Sequence, residues 1–165
     1  MDFNIIPKQE ADISYSHSTL AVKSIDCVFS LNHFDEAEID DSLIADIMNQ
    51  IKEGTEDFCL FVGDDEESDR MEVVSDGVLL SLTCCFNLEE YYCCCNEEYA
   101  DTISLLNEPD FSDKAVFTDL ESCNQEPIPR IEAITDMELG LKAVEYFMYT
   151  GKLYPGLDWI KDPCF

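Results

Sequence analysis

Five cysteines lie within one twelve-residue stretch, CCFNLEEYYCCC at residues 84–95, and no other segment looks so suited to chemistry. A structural zinc site needs four converging ligands, usually supplied by C-x-x-C pairs. Here Cys84 and Cys85 are adjacent, as are the three cysteines of 93–95. Adjacent residues on a strand point to opposite faces, so only alternate thiols could share a metal ion. The two histidines are remote in sequence, and we expect no metal site.

Packing explains this stretch better than metal binding does. A free cysteine behaves as a small buried hydrophobe. GVLLSLTCCF and EYYCCCNE are apolar runs of strand length, with NLEE between them. They predict two neighbouring antiparallel strands whose cysteines fill the sheet faces, with two or three of the five facing solvent or a partner. The odd total of nine cysteines also argues against a closed disulfide framework.

Charge is the most unusual property of the chain. Its 165 residues carry 37 Asp and Glu against 9 Lys and Arg, a formal net charge of −28. A compact chain with this charge repels itself, and it also repels phosphate backbones and anionic lipids. We therefore expect a partner with a basic surface, and binding to neither nucleic acid nor membranes.

The sequence predicts a single α+β domain over 1–165, with an antiparallel-rich β-sheet and two main helices. Residues 1–18 are expected to be a loose end or a short edge strand. DDSLIADIMNQIKEG predicts the first helix, capped by Asp40 or Asp41 and ended by Gly54. A capping box of Thr135 and Glu138 predicts the start of the last helix. NQEPIPR is expected to be a loop, and AVFTDL and LDWI to be strands.

Nothing in the N-terminal sequence MDFNIIPKQEAD resembles a signal peptide, and the chain has no apolar run long enough for a membrane span. The expected location is therefore the cytoplasm, where thiols stay reduced. The motifs of a nucleophile elbow, a phosphate-binding glycine loop and a zinc protease are missing as well. We expect no enzyme, no catalytic residue and no cofactor.

The carboxylates gather in predicted loops and alternate with tyrosines. An acidic surface would steer a basic partner into contact, and aromatic side chains would hold it there. Any single cluster could instead be a solvated loop, but solubility alone does not need this much charge. The candidate residues for binding such a partner are Asp64, Asp65, Glu66, Glu67, Glu89, Glu90, Tyr91, Tyr92, Glu97, Glu98 and Tyr99.

Residues 128–160, IPRIEAITDMELGLKAVEYFMYTGKLYPGLDWI, resemble the C-terminal signature of a bacterial immunity-protein family, the one numbered first in the polymorphic-toxin classification. In that family an IP loop leads to a helix ending in an aromatic-x-x-T-G turn, and a Pro and a final Trp follow. The matching residues are Ile128, Pro129, Ala143, Phe147, Thr150, Gly151, Pro155 and Trp159. The cysteine-rich strand pair is not part of the family's pattern.

The resemblance implies a cytoplasmic antidote of the contact-dependent growth inhibition type. Such a protein binds and neutralises a cognate toxin, here one with a basic surface and expected to be a nuclease, by covering its active site or substrate groove. Two other hypotheses stay open. One is a DNA mimic that inhibits a nucleic-acid-binding enzyme, which would need carboxylates spaced like phosphates. The other is a thiol-metal protein that uses the five clustered cysteines.

Overall fold

The computed structural model describes residues 4–9, 13–63, 67–122 and 126–161 and has an α+β fold, as predicted. The helices are α1 Asp41–Glu53 and α2 Met137–Thr150, with short 3-10 helices at Glu36–Glu38, Glu97–Leu106 and Arg130–Glu132. The strands are β1 Asn4–Ile6, β2 Ser24–Cys27, β3 His33–Asp35, β4 Phe58–Phe61, β5 Arg70–Ser75, β6 Leu80–Phe86, β7 Glu90–Cys94, β8 Phe117–Glu121, β9 Pro127–Pro129 and β10 Trp159–Lys161.

Eight strands form one antiparallel sheet in the order β1-β10-β7-β6-β5-β4-β2-β3. Strands β4 to β7 follow one another in space as they do in sequence, because each is joined to the next by a short loop. β8 and β9 pair separately as a second, two-stranded sheet. β1 is an edge strand that pairs with β10, so of the two alternatives expected for residues 1–18 the short edge strand holds for residues 4–6. Within the described residues, no helix has the length and apolar character needed to cross a membrane.

Both long helices cover one face of the large sheet, called here the helix face. Ile47 and Ile51 of α1 and Phe147 of α2 join the main core with sheet residues such as Leu60 and Leu82. Burying these aliphatic and aromatic side chains supplies the main stabilisation of the layer. The helices are therefore positioned by their apolar stripes and leave the opposite face of the sheet to other elements.

The helix ends agree with the predictions except at one residue. Asp40 accepts a hydrogen bond from the Leu43 N–H at 2.8 Å and caps α1, which ends at Gly54. Gly54 has a φ of +71°, and a Cβ there would lie 2.1 Å from the carbonyl carbon of Asp76, so glycine is required. The predicted Thr135 cap is wrong, because Asp136 accepts from the backbone at this position and caps α2 instead.

The second face of the large sheet, called here the open face, is covered in part by the β8–β9 pair and by the 3-10 helix Glu97–Leu106. Phe117, Ile131 and Leu106 pack there with Ile160 of β10. Pro127–Pro129 pairs with β8, so the expectation of a loop over NQEPIPR is wrong for that part. Proline is tolerated because this small sheet consists of edge strands.

The cysteine-rich stretch forms the predicted antiparallel pair, with Thr83 opposite Cys93 and Cys84 opposite Tyr92. All five thiols are nevertheless buried, so the expectation that two or three face solvent or a partner is wrong. Cys84 and Cys94 join the core beneath the helices, while Cys93 points to the open face, beneath the elements that cover it. Both faces of these strands are covered, which the sequence alone did not indicate.

Candidate partner-binding site

The open face of the sheet carries a long depression made of two adjoining cavities of about 490 and 370 Å³. Glu72, Val74 and Ser122 line both cavities, so we treat them as one feature, called here the trough. Its floor is formed by β5 and its neighbours, and its wall by the β8–β9 pair. We call the larger part the Asp57 cavity and the smaller part the Glu132 cavity, after a residue that lines each.

The charge of the trough is strongly unbalanced. Among the described residues, the lining includes seven carboxylates and a single cationic side chain, Arg70. Arg70 is paired with Glu72, with 3.4 Å between Nε and Oε1, and Asp119 is paired with Lys114. The other lining carboxylates, which form no salt bridge within the described part of the chain, are Asp57, Asp76, Glu121, Glu126 and Glu132.

One end of the trough carries exposed apolar residues on the turn between β2 and β3. Val28 and Phe29 line the Asp57 cavity, and the Phe29 side chain is 66% exposed. Leu31, in the same turn, has a φ of +63° and is 82% exposed. Exposed aromatic and aliphatic side chains beside a charged groove are typical of a protein-binding surface.

A buried acid holds this turn in place. Glu56 accepts hydrogen bonds from the Phe29 N–H at 2.7 Å, the Ser30 N–H at 3.0 Å and the Asp57 N–H at 3.1 Å. Burial alone would raise the pKa of Glu56, but these backbone donors outweigh it and hold the pKa below its usual value. The exposed side chains of the turn therefore project from a backbone that is ordered before any partner arrives.

Two further carboxyl groups of the trough have perturbed acidity. Burial raises the pKa of Asp57, and the hydrogen bond it accepts from the Ser75 N–H at 3.1 Å offsets only part of that effect. Burial also raises the pKa of Glu132 to about 7, with a partly opposing hydrogen bond from Cys93. Such shifts in a cavity are typical of binding sites.

Comparison with protein-family models, with curated proteins and with solved structures gave no match. A function for this chain must therefore be inferred from its own sequence and geometry.

The predicted binding residues fall into separate groups. Asp64, Asp65 and Glu66 lie outside the described residues. Asp69 accepts a hydrogen bond from the Asn87 N–H at 2.9 Å, which places the β4–β5 loop beside the β6–β7 turn. That contact brings the loop of Glu67 to the sheet end that carries Glu89 and Glu90. Three of the predicted carboxylates are thus found at one end of the sheet.

Glu97 and Glu98 lie beyond the other end of β7. They border a separate cavity of about 340 Å³ together with Asp136 and Asp158. β7 therefore separates this acidic pair from the pair at Glu89 and Glu90. A small partner surface would not cover both pairs without spanning the length of the strand.

The three predicted tyrosines also differ in their surroundings. Tyr91 points to the open face and lines the Glu132 cavity, as a partner-binding residue should. Tyr92 points to the helix face, where its ring lies 5.8 Å from that of Phe86 and packs against the main core. Tyr99 packs against the smaller core, with the Arg130 guanidinium 5.9 Å from its ring centroid. Of the three predicted tyrosines, Tyr91 is the one that lines the trough.

The sequence analysis missed Phe29, Glu56, Glu72 and Glu132. The sequence did contain a signal for Glu132, because this acid interrupts an apolar run in IPRIEAI. An acid in such a run either is exposed by a turn or is buried, and a buried acid is rare enough to indicate a function. Phe29 and Glu56 gave no such signal. They are distant in sequence, and their relationship becomes visible only when β2 and β4 pair.

Among the described residues, no three His, Cys, Asp or Glu side chains are arranged to hold a metal ion. The clustered thiols are divided between the two faces of the sheet, as the argument from adjacent residues predicted for any strand. The arrangement of the site is suited to binding a cationic surface through carboxylates and apolar contacts.

Proposed function

We propose that this protein is an antidote that binds the basic surface of a toxin domain and neutralises it. The observation that carries the proposal is the trough, where the described lining residues include seven carboxylates and one arginine, and Phe29 lies at the edge. A positively charged segment would be attracted to this groove, and the apolar turn would supply contacts that exclude water. The likeness of residues 128–160 to an immunity family supports the toxin as the class of partner.

Inhibition would follow from occupancy alone. A nuclease binds phosphates with a basic cleft, and a carboxylate-lined surface placed there competes directly with the nucleic acid. Burying carboxylates is costly unless cations pair with them, so the same charge pattern disfavours partners without a basic surface. The protein would act by binding in a fixed ratio, without turning over a substrate.

The test starts from the reading frame next to this gene. If that frame encodes a large secreted protein, its C-terminal domain is expressed with and without this chain, and growth of the cells is followed. We expect the domain alone to stop growth and co-expression to restore it. Isothermal titration of the purified pair should give one-to-one binding that weakens as the salt concentration rises. Normal growth without this chain, or no association in the titration, would contradict the proposal.

Paired charge reversals locate the binding surface. Asp119→Lys with Glu121→Lys changes the wall of the trough, and both residues are exposed, so the fold should tolerate the change. Asp46→Lys with Glu138→Lys makes the same change in net charge on exposed positions of α1 and α2. We expect the first pair to weaken toxin binding at least tenfold and the second at most about threefold. Equal losses would show that total charge, not the trough, determines affinity.

Competition assays separate this function from DNA mimicry. A mimic should displace DNA from several unrelated DNA-binding proteins, whereas an antidote should inhibit one toxin and leave the others unaffected. Asp57, Glu72 and Glu132 are buried or half-buried in the trough and favour a partner that inserts into it, since a mimic must offer its charges to clefts that already accommodate a duplex.

A further inference from the structure

Glu132 is an acidic side chain placed where water hardly reaches. It ends the 3-10 helix Arg130–Glu132 and is only 5% exposed. Its carboxyl interacts with the thiol of Cys93, which in turn lies 3.3 Å from the Thr83 hydroxyl. In the described part of the chain no Lys, Arg or His forms a salt bridge with it. A buried carboxyl without a cationic partner is costly and calls for an explanation.

The cavity next to this carboxyl has the size and lining of a binding pocket. It has a volume of about 370 Å³, within the range of small-molecule sites. The apolar part of the lining includes two aromatic rings, Phe111 and Phe117, whose centroids are 5.1 Å apart. Aromatic faces attract cations as well as apolar groups. The pocket thus combines an apolar wall with one buried acid that forms no salt bridge with any described Lys, Arg or His.

We propose that the Glu132 cavity binds an organic cation, an ammonium or guanidinium group on an apolar stem, with Glu132 as its counter-ion. The same chemistry occurs in free amines and in the Lys or Arg side chains of a basic protein. The inference goes beyond the proposed function, because a free cation should bind whether or not the partner is a toxin.

An anion fits this cavity less well. Arg70 is the single cation among the described lining residues, and it is already engaged by Glu72 at 3.4 Å. The carboxyls of Glu72, Glu126 and Glu132 would repel an anion placed between them. A metal ion is also disfavoured, since the described residues include no group of three suitable ligands.

Binding of a cation should be coupled to loss of a proton from Glu132. Burial raises the pKa of this carboxyl to about 7, so at pH 6 it is mostly protonated and must release its proton to the buffer before it can pair with a cation. The titratable groups around it are Cys93, Cys94 and Cys95, whose pKa values are raised by burial, and Arg70, Glu72, Tyr91 and Glu126 of the cavity lining. The neutral thiols and the charged Arg70 keep their protons from pH 6 to pH 8.

The experiment is isothermal titration of the full chain with phenethylamine and, as a neutral counterpart of the same shape, 2-phenylethanol. Titrations are run at pH 6 and pH 8, each in two buffers of different ionisation enthalpy. We expect the amine to bind and the alcohol not to bind. The amine should bind about tenfold more tightly at pH 8 than at pH 6, and its binding at pH 6 should release about 0.9 proton per amine. Equal binding of the alcohol, or no amine binding at 10 mM, would overturn the proposal.

Variants identify the counter-ion. Glu132→Gln should weaken amine binding at least tenfold and abolish its pH dependence, whereas Glu138→Gln removes an exposed carboxylate outside this cavity and should change nothing. Circular dichroism of both variants checks that they fold. If a folded E132Q protein binds the amine as wild type does, Glu132 is not the counter-ion and the inference fails.

Two further titrations distinguish the sources of the cation. An acetylated Phe-Arg amide that binds more tightly than phenethylamine would indicate a basic side chain of a protein, and weaker binding would indicate a free amine. Citrulline in place of arginine is the neutral control. If the chain binds the amine but not the product of the adjacent gene, this inference stands and the proposed function is contradicted. If the chain binds that gene product but not the amine, this inference alone is contradicted.

Discussion

The backbone N–H of Phe29 donates a 2.7 Å hydrogen bond to the buried carboxylate of Glu56, while the ring of the same Phe29 is 66% exposed. The acid thus fixes the backbone from which an apolar side chain projects into solvent. A partner that contacts the ring need not order the turn first, which lowers the entropic cost of binding. A buried residue that never touches the partner can therefore influence affinity through the turn between β2 and β3.

Replacing Glu56 by Gln should loosen this turn. The oxygen of the glutamine amide can still accept from the backbone donors on one side, but its NH₂ then faces the donor on the other side. A charge-assisted hydrogen bond is therefore lost and a backbone N–H is left unpaired. We expect a loss of about 2 kcal/mol in the free energy of unfolding. Hydrogen exchange at residues 28–31 should be faster, as measured by mass spectrometry. The exposed Glu53→Gln serves as control, and unchanged exchange in E56Q would contradict the role of the carboxylate.

The same contact gives a pH dependence of known sign. Because the backbone donors hold the pKa of Glu56 below its usual value of 4.5, its contribution to stability is present above that pH and is lost as the pH falls through the lower, folded value. The difference in unfolding free energy between wild type and E56Q should therefore shrink in acid. Urea denaturation at pH 6 and pH 3.5 measures it, and a constant difference would exclude an ionised Glu56 as the cause.

The exposed apolar side chains of the turn should contribute to affinity and not to stability. Phe29→Ala removes a ring that is mostly in water, so the free energy of unfolding should change by less than about 0.5 kcal/mol. If the turn contacts the toxin, the affinity should fall at least tenfold, equivalent to about 1.4 kcal/mol or more. Leu105→Ala, a 52% exposed leucine on the 3-10 helix Glu97–Leu106, is the matched control in the same titration. Equal affinities of F29A and wild type would remove the turn from the interface.

Local signals in the sequence were sufficient for both long helices and for the cysteine-rich strand pair. Asp40 and Gly54 mark both ends of α1 because capping depends on residues within one turn of the helix. The strand pair around 84–95 was predicted for the same reason, since alternation and turn residues are local. The cap of α2 was predicted at Thr135, one residue too early. Asp136 can cap a helix in the same way, and its carboxylate accepts the hydrogen bond from the Leu139 N–H.

The trough could not be predicted because it depends on how distant segments meet. Its floor comes from β5 and β6 and its wall from β8, which lies more than 30 residues later in the chain. The acidic loops were predicted because their carboxylates are clustered in sequence, whereas Glu72 is a lone acid within β5. Of the predicted tyrosines, strand alternation could have separated Tyr91 from Tyr92, and the structure does so.

The buried thiols of the cysteine-rich strands should resist alkylation in the native protein. Burial raises the pKa of Cys94 and Cys95 to about 12, so at pH 8 roughly one molecule in 10⁴ carries either thiolate. Peptide mapping after iodoacetamide treatment should show residues 84–95 unmodified in the native state and fully modified in denaturant. Rapid labelling of this peptide in the native protein would show that these strands are accessible, and it would revive a chemical role for the thiols.

Glu132 should make the protein less stable as the pH rises. Its folded pKa of about 7 exceeds its usual value of 4.5, so its contribution is greatest below pH 4.5 and is lost as the pH rises through 7. Glutamine does not ionise, so E132Q does not lose stability in this way. The free energy of unfolding of E132Q relative to wild type should therefore increase by roughly 2–3 kcal/mol from pH 5 to pH 8. Urea denaturation at both pH values measures the gain, and the exposed Glu98→Gln should show none. A pH-independent difference between E132Q and wild type would mean that the carboxyl ionises as freely in the folded protein as in water, and burial would not then raise its pKa.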